Sequence, residues 1–131
     1  MASSSDVYVV ATTDEGTRRA LREATRLTAE ASARVVMLVP HVITFTAPEA
    51  DAAGTMALTD RFRAIASEAG VPATVRVCLC RRSDDVWRSM MPGARVIVGG
   101  RRRRWWPTAP ERLARRLRDN GHDVLYAQIP A

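Results

Sequence analysis

Residues 95–111 hold the densest group of side chains able to do chemistry. Val96-Ile97-Val98 runs into Gly99-Gly100, then Arg101-Arg102-Arg103-Arg104-Trp105-Trp106, and Thr108-Ala109-Pro110-Glu111 follows. Strand, glycine turn, loop and helix start is the order in which α/β proteins build a phosphate site. The free amides and the dipole of the helix end favour an anion there. Here the loop keeps its glycines and is otherwise filled with arginine and tryptophan. A guanidinium binds phosphate as a fork, so the chemistry on offer is anion binding, by charge as much as by backbone. Four adjacent arginines repel one another and favour a solvated loop, while a tryptophan pair needs cover or a partner. One arrangement folds an indole over the apolar edge of the following helix, with an arginine stacked on it. Others are a nucleotide or polyphosphate site, nucleic acid with bases on the indoles, or an anionic membrane surface. A six-residue patch is short for the last two, and nucleic acid is not the expected partner.

Other reactive residues are sparse. Cys78 and Cys80 are the two cysteines. One residue apart in a strand, they face the same way with Cβ atoms about 7 Å apart, beyond ordinary disulfide reach. Two thiols without further ligands make a weak metal signal. His41 and His122 have no Cys or His at ligand spacing. Asp84 and Asp85 suit the start of a short helix. No Ser-His-Asp set, HExxH, Walker loop or paired carboxylate beside a nucleophile is visible. The expectation is a binding protein with no catalytic or metal site.

The elements that must position these residues alternate strand and helix. Asp6 to Ala11 reads as a buried strand, followed by a Thr-Thr-Asp-Glu-Gly loop. Thr17 to Ser32 is helical, with Ala20, Leu21, Ala24, Leu27 and Ala31 on one face and Arg18, Arg22 and Arg26 on another. Arg34 to Val39 is a second buried strand, closed by Pro40. Residues 42–49 read as an irregular crossover. A helix from about Glu49 to Ala69 turns Leu58, Phe62, Ile65 and Ala69 inward, and Gly70 and Pro72 end it. Thr74 to Cys80 alternates as a half-exposed edge strand. Ser83 is placed to cap a short helix carrying Trp87 as a packing residue, and Pro92-Gly93 stops it. Arg95 to Gly99 is the fourth strand. Thr108 and Glu111 form a capping box for a helix facing Leu113 and Leu117 inward, and Asn120-Gly121 ends it. Asp123 to Ile129 is the last strand.

This pattern predicts one doubly wound α/β domain across residues 1–131, with a five-stranded parallel sheet in order 3-2-1-4-5 and helices on both faces. The length suffices to bury a core without staples. The net charge is +6, and all 20 basic residues are arginine, which reads as coding bias more than selection for the guanidinium fork. The N-terminus lacks a basic start and an apolar run. No apolar stretch approaches the roughly 18 residues of a membrane span. A cytoplasmic location is expected.

In an open parallel sheet, ligands bind beyond the carboxyl ends of the strands where strand order reverses. The order 3-2-1-4-5 makes that point the gap between strands 1 and 4. Ala11, Thr12 and Thr13, with Pro40 beside them, would then meet Gly99, Gly100, Arg101, Arg102 and Thr108. The helix starting at Thr108 would aim free amides into the same crevice.

At this level the chain resembles the universal stress protein family. Three pieces carry the resemblance: Val9 to Ala24 with its Thr17-Arg-Arg-Ala-Leu-Arg-Glu-Ala; Val96-Ile-Val-Gly-Gly-Arg; and Thr108-Ala-Pro-Glu-Arg-Leu followed by Asp123-Val-Leu-Tyr. The resemblance implies a cytoplasmic α/β protein, usually a homodimer through its last strand, without catalysis. Some members bind ATP or AMP and others bind no nucleotide. The binders carry an Asp at the end of strand 1 and a Gly-x2-Gly-x9-Gly-Ser/Thr loop after strand 4. In this chain the Asp position falls on Thr12, with Asp14 two residues later. The first loop glycine is Gly99, the second falls on Arg102, the Gly-Ser pair falls on Pro107-Thr108, and the loop is shorter. Arg102 hinders close backbone approach, and Pro107 has no amide to donate. The expectation is ATP, AMP or another phosphate compound held with help from arginine charge. The alternative is a ligand-free dimeric module that uses the Arg/Trp loop for protein contacts.

Overall fold

The computed structural model describes residues 6–29, 33–42 and 52–130. Five parallel strands, β1 (Val7–Val10), β2 (Val35–Val42), β3 (Ala73–Cys80), β4 (Arg95–Gly100) and β5 (Asp123–Gln128), form one sheet in the order β3-β2-β1-β4-β5. Helices α1 (Asp14–Thr28), α2 (Ala52–Glu68) and α3 (Ala109–Asp119) and a 3-10 helix (Ser83–Ser89) connect them. This is the predicted order. β1 lies between β2 and β4, with Val7 opposite both Val35 and Arg95.

The run of branched apolar residues makes the central strands. Val9, Val10, Met37, Leu38, Ile97 and Val98 are fully buried, and each such side chain contributes roughly 1.5–3 kcal/mol over its exposed state. Alternation divides them between two layers. Val9, Met37 and Ile97 face Ala20, Leu21 and Ala24 of α1 and Phe62, Ile65 and Ala66 of α2. Val10, Leu38 and Val98 face Val86 of the 3-10 helix and Leu113 and Leu117 of α3. Trp87 packs against this second layer, as predicted, and β3 is the half-exposed edge, with Cys78 buried and Cys80 partly so, both free thiols.

Several boundaries differ from the sequence expectation for identifiable reasons. α1 begins at Asp14 rather than Thr17, because Thr13 caps it by accepting a hydrogen bond from the Gly16 amide at 3.0 Å. The Asp-Glu-Gly read as loop is the helix's first turn. α1 ends at Thr28, so Leu27 is exposed rather than inward; Ala31 and Ser32 lie outside the described residues. β2 continues through Pro40 to Val42. Its pairing with β1 has ended there, since Leu38 makes the last hydrogen bond to that side, through Ala11. The missing proline donor therefore falls where no partner waits. Ser83 is the first residue of the 3-10 helix and not its cap; Arg82 holds the cap position without a side-chain capping hydrogen bond. The predicted crossover at 42–49 lies outside the described residues from 43 onward. The α3 capping box is present as read: Thr108 accepts from the Glu111 amide, and Glu111 accepts from the Thr108 amide at 2.9 Å. Gly121, at φ +87°, takes the left-handed turn that ends that helix.

Candidate functional site

At the carboxyl end of the sheet, the β1–α1 and β4–α3 junctions come together, and they enclose two adjoining cavities. The smaller, about 170 Å³, is lined by Ala11, Thr12, Thr13, Pro40, Ala109, Pro110 and Leu113. The larger, about 590 Å³, is lined by Thr13, Glu15, Gly100, Arg101, Arg103, Trp106, Pro107, Thr108, Ala109, Pro110, Arg112 and Ile129. Thr13, Ala109 and Pro110 belong to both. Ala11, Thr12, Thr13 and Pro40 thus meet in the apolar recess, while Gly100, Arg101 and Thr108 stand in the arginine-lined cleft. Gly99 and Arg102 line neither.

Gly99 and Gly100 do not form a turn. Both are strand residues, paired with Ala127 and Gln128 of β5. Their missing side chains make room for protein. A Cβ on Gly99 would overlap the Gly16 carbonyl and come within 3.1 Å of the Ala20 nitrogen. A Cβ on Gly100 would lie 2.6 Å from the Tyr126 hydroxyl and 2.7 Å from Pro110 Cβ. The small residues Gly16, Thr17, Ala20 and Ala24, all buried, are what let α1 sit this close. Thr12 reinforces the contact: its Oγ1 donates to the Gly99 carbonyl at 2.8 Å, and its amide donates to Thr17 Oγ1 at 3.0 Å. Thr12 is therefore spent on tying the end of β1 to β4 and α1.

The loop after β4 is fixed by hydrogen bonds to its backbone. The Arg101 carbonyl accepts from Tyr126 Oη at 2.6 Å and from Thr108 Oγ1 at 3.0 Å. Glu111 Oε1 accepts from the Arg103 amide at 3.3 Å. The Pro107 carbonyl accepts from the Arg112 guanidinium at 2.7 Å. These amide bonds, that from Thr108 first, hold the Glu111 carboxyl below its ordinary 4.5. Burial pushes the Tyr126 phenol up from 10.0. The expected fan of free amides at the α3 N-terminus is absent: Pro110 has none, the Glu111 amide goes to Thr108, and Arg112 opens the helix ladder by bonding the Thr108 carbonyl. Among the described residues only Ala109 offers an amide there.

Charge takes over where the amides are missing. Arg101, Arg103 and Arg112 line the cleft against one carboxylate, Glu15, which pairs with Arg101 at 2.9 Å. Asp14 is paired with Arg61. Neither indole of the loop folds over the helix: Trp105 is 79% and Trp106 77% exposed. The tryptophan–helix packing expected from the sequence does not occur; Pro110 and the Tyr126 hydroxyl pack against Gly100 instead. Arginine stacking does occur, with Arg104 5.5 Å from the Trp105 ring centroid and Arg102 5.6 Å from that of Tyr126. Among the described residues no group of three or more His, Cys, Asp and Glu could hold a metal, and no helix is long and apolar enough to cross a membrane.

Sequence reasoning missed Glu15 and Arg112 in the lining of this crevice and Tyr126 as an anchor of its loop. Tyr126 was within reach: strand order places it beside Val98, and its ring then points along β4 toward Arg101.

Solved structures resemble this architecture over nearly its whole length. A universal stress family protein from Burkholderia pseudomallei matches with a TM-score of 0.61 and 23% identity, over 97% of this chain and 96% of its own. The fold is that of the universal stress proteins. A universal stress protein in complex with cAMP matches at 0.61 and 16% identity, over 98% of this chain and 100% of its own. A universal stress family protein from Arabidopsis thaliana with AMP bound matches at 0.60 and 15%, over 97% and 93%. No family model and no curated protein matches the sequence. The universal stress fold is thus kept here around a strand 4 loop that is spelled in arginine and tryptophan.

Proposed function

We propose that this protein is a non-catalytic, universal-stress-like binding protein whose crevice takes a small phosphate-bearing ligand, a nucleotide such as AMP or ATP. The observation that carries this reading is the pairing of an apolar recess with an arginine-lined cleft through shared Thr13, Ala109 and Pro110. A nucleotide has the same two-part character, and bound cAMP and AMP in two proteins of this fold support it. Phosphates would be held by Arg101, Arg103 and Arg112 in place of glycine-loop amides. Both helix N-termini already carry carboxylates, Asp14 and Glu15 on α1 and Glu111 on α3. The ligand's charge must therefore displace Glu15 from Arg101 or add to the remaining arginines. These same carboxylates are engaged in ion pairs or capping, which supports a binding role. The reading includes a cytoplasmic homodimer acting in a stress response, with β5 at the sheet edge and Leu125 exposed on it.

Thermal unfolding with ATP, AMP and inorganic polyphosphate tests the proposal. A ligand at about one hundred times its Kd adds roughly 2.7 kcal/mol. The expected result is a rise with AMP or ATP that survives physiological salt. No rise with either nucleotide overturns it. The ligand-free interaction module is the second reading, and the exposure of Trp105 and Trp106 is what favours it.

A further inference from the structure

The net charge of this protein is not spread over its surface. Eight of the 20 arginines lie in residues 101–118 against a single carboxylate, Glu111. That segment therefore carries +7 and the rest of the chain −1, for the total of +6. Arg101, Arg102, Arg103, Arg104, Arg115 and Arg116 are all exposed. The same segment holds the two most exposed aromatic side chains among the described residues, Trp105 and Trp106.

The exposure of the indoles follows from how the loop is anchored. On one side of them the Arg103 amide is tied to Glu111, and on the other the Pro107 carbonyl is tied to Arg112. Residues 104–106 are the untied tip between these anchors. Pro110 and Tyr126 fill the space beside Gly100. The tip is therefore presented in place, and ordering it on a partner costs little.

We propose that this loop and the adjoining arginines of α3 form a docking surface for an anionic lipid membrane, with Trp105 and Trp106 seated at the headgroup level and the arginines on lipid phosphates. Indoles favour that interface because one molecule supplies an apolar ring and a polar N–H. Arginines near an anionic leaflet add attraction that falls off with salt. A single short apolar tip is too weak alone, and a basic patch supplies the second signal that stable association needs. A nucleic acid strand fits the surface less well. Sequence-tolerant binding of a strand uses a basic groove tracking the backbone, with open ring faces along it. Here Arg104 lies over Trp105, and Trp106 forms a wall of the cleft. Trp105, Arg102, Arg104, Arg115 and Arg116 lie outside the lining of the cleft, so the proposal stands whether or not the cleft takes a nucleotide.

Flotation of the full chain with vesicles tests it. One set is phosphatidylcholine alone, and the other is equal parts phosphatidylcholine and phosphatidylglycerol. Binding is expected to the second set only, to weaken with salt, and to shift tryptophan emission to the blue. The Trp105→Ala/Trp106→Ala variant, whose side chains support nothing in the core, should keep its melting temperature, lose at least about tenfold in vesicle affinity and lose the blue shift. No binding to the anionic vesicles overturns the proposal. So does binding that the double variant retains in full, because charge alone then explains it. Single-stranded oligonucleotides run in parallel identify the replacement: oligonucleotide binding without vesicle binding makes the surface a nucleic acid site.

Discussion

Two strand-to-helix junctions meet at the carboxyl end of the sheet, and they are built in opposite ways. β1 passes into α1 through residues 11–13, and α1 then lies backbone against backbone on β4 at Gly16 and Gly99. β4 passes into α3 through residues 101–108, a longer path held by Tyr126, Thr108, Glu111 and Arg112. Both helices use a threonine cap, Thr13 and Thr108. The first junction is a fixed hinge-line of packed backbone that leaves no room for an added atom. The second is a rim whose position depends on a few side chains. Glycines at a phosphate loop and glycines at a helix–strand contact are indistinguishable by residue type, and the neighbours decide which they are.

The sharpest way to break this contrast is Gly99→Ala. The added methyl overlaps the Gly16 carbonyl, and neither backbone can yield without moving α1. A loss of about 3 kcal/mol or more is expected in urea unfolding. An unchanged midpoint would show that the first junction is as adjustable as the second.

A smaller effect separates the two caps. Thr13→Ala removes one capping bond and should cost about 1 kcal/mol. Thr108→Ala removes a cap and also a donor to the Arg101 carbonyl, so it should cost about 2 kcal/mol and speed amide exchange at Arg103. Equal costs with unchanged exchange would mean that Thr108 does not anchor the rim.

The third effect is nil at neutral pH and appears in acid. His122 sits at the turn from α3 to β5, buried, with neither ring nitrogen partnered among the described residues. Burial lowers its pKa below the ordinary 6.5. Below 6.5 the unfolded chain binds the proton and the folded chain resists it, so stability falls as the pH drops toward the folded pKa. The stabilising contribution is complete above 6.5. Urea midpoints measured between neutral and mildly acid pH should decline for the wild type and flatten for His122→Leu. Parallel slopes would place the acid sensitivity elsewhere, outside the α3 side of the contrast.

Much of the fold was legible because it depends on local, periodic signals. Apolar runs such as Val96-Ile97-Val98 and the Thr108/Glu111 box mark their elements without reference to anything distant, and alternation of strand with helix fixes a parallel sheet. The site was legible only in place. Ala11, Thr12, Thr13 and Pro40 line the apolar recess and Thr108 and Arg101 the adjoining cleft, since strand order brings the two junctions side by side. Their roles depend on distant partners. Thr12 is committed to Gly99, 87 residues away, and Gly100 makes room for Tyr126 on another strand. Glycine and proline misled locally for the same reason: Gly16 lies inside a helix and Pro40 inside a strand because of what lies across from each.

The central position of β1 also sets an order of events when the chain is made. β2 follows β1 as the next strand of the chain, yet the other edge of β1 waits for β4, whose partner residues begin at Arg95. Until then Tyr8, Val10, Val36 and Leu38 also lack Leu113 and Leu117 of α3, which cover that face of the sheet. At translation rates of about 5–20 residues per second, the span from Val42 to Gly100 occupies roughly 3–12 seconds. For that interval the nascent chain carries an open parallel edge beside an uncovered apolar face, the combination most prone to intermolecular pairing. Shielding that edge during those seconds should raise the recovery of folded protein from a cell.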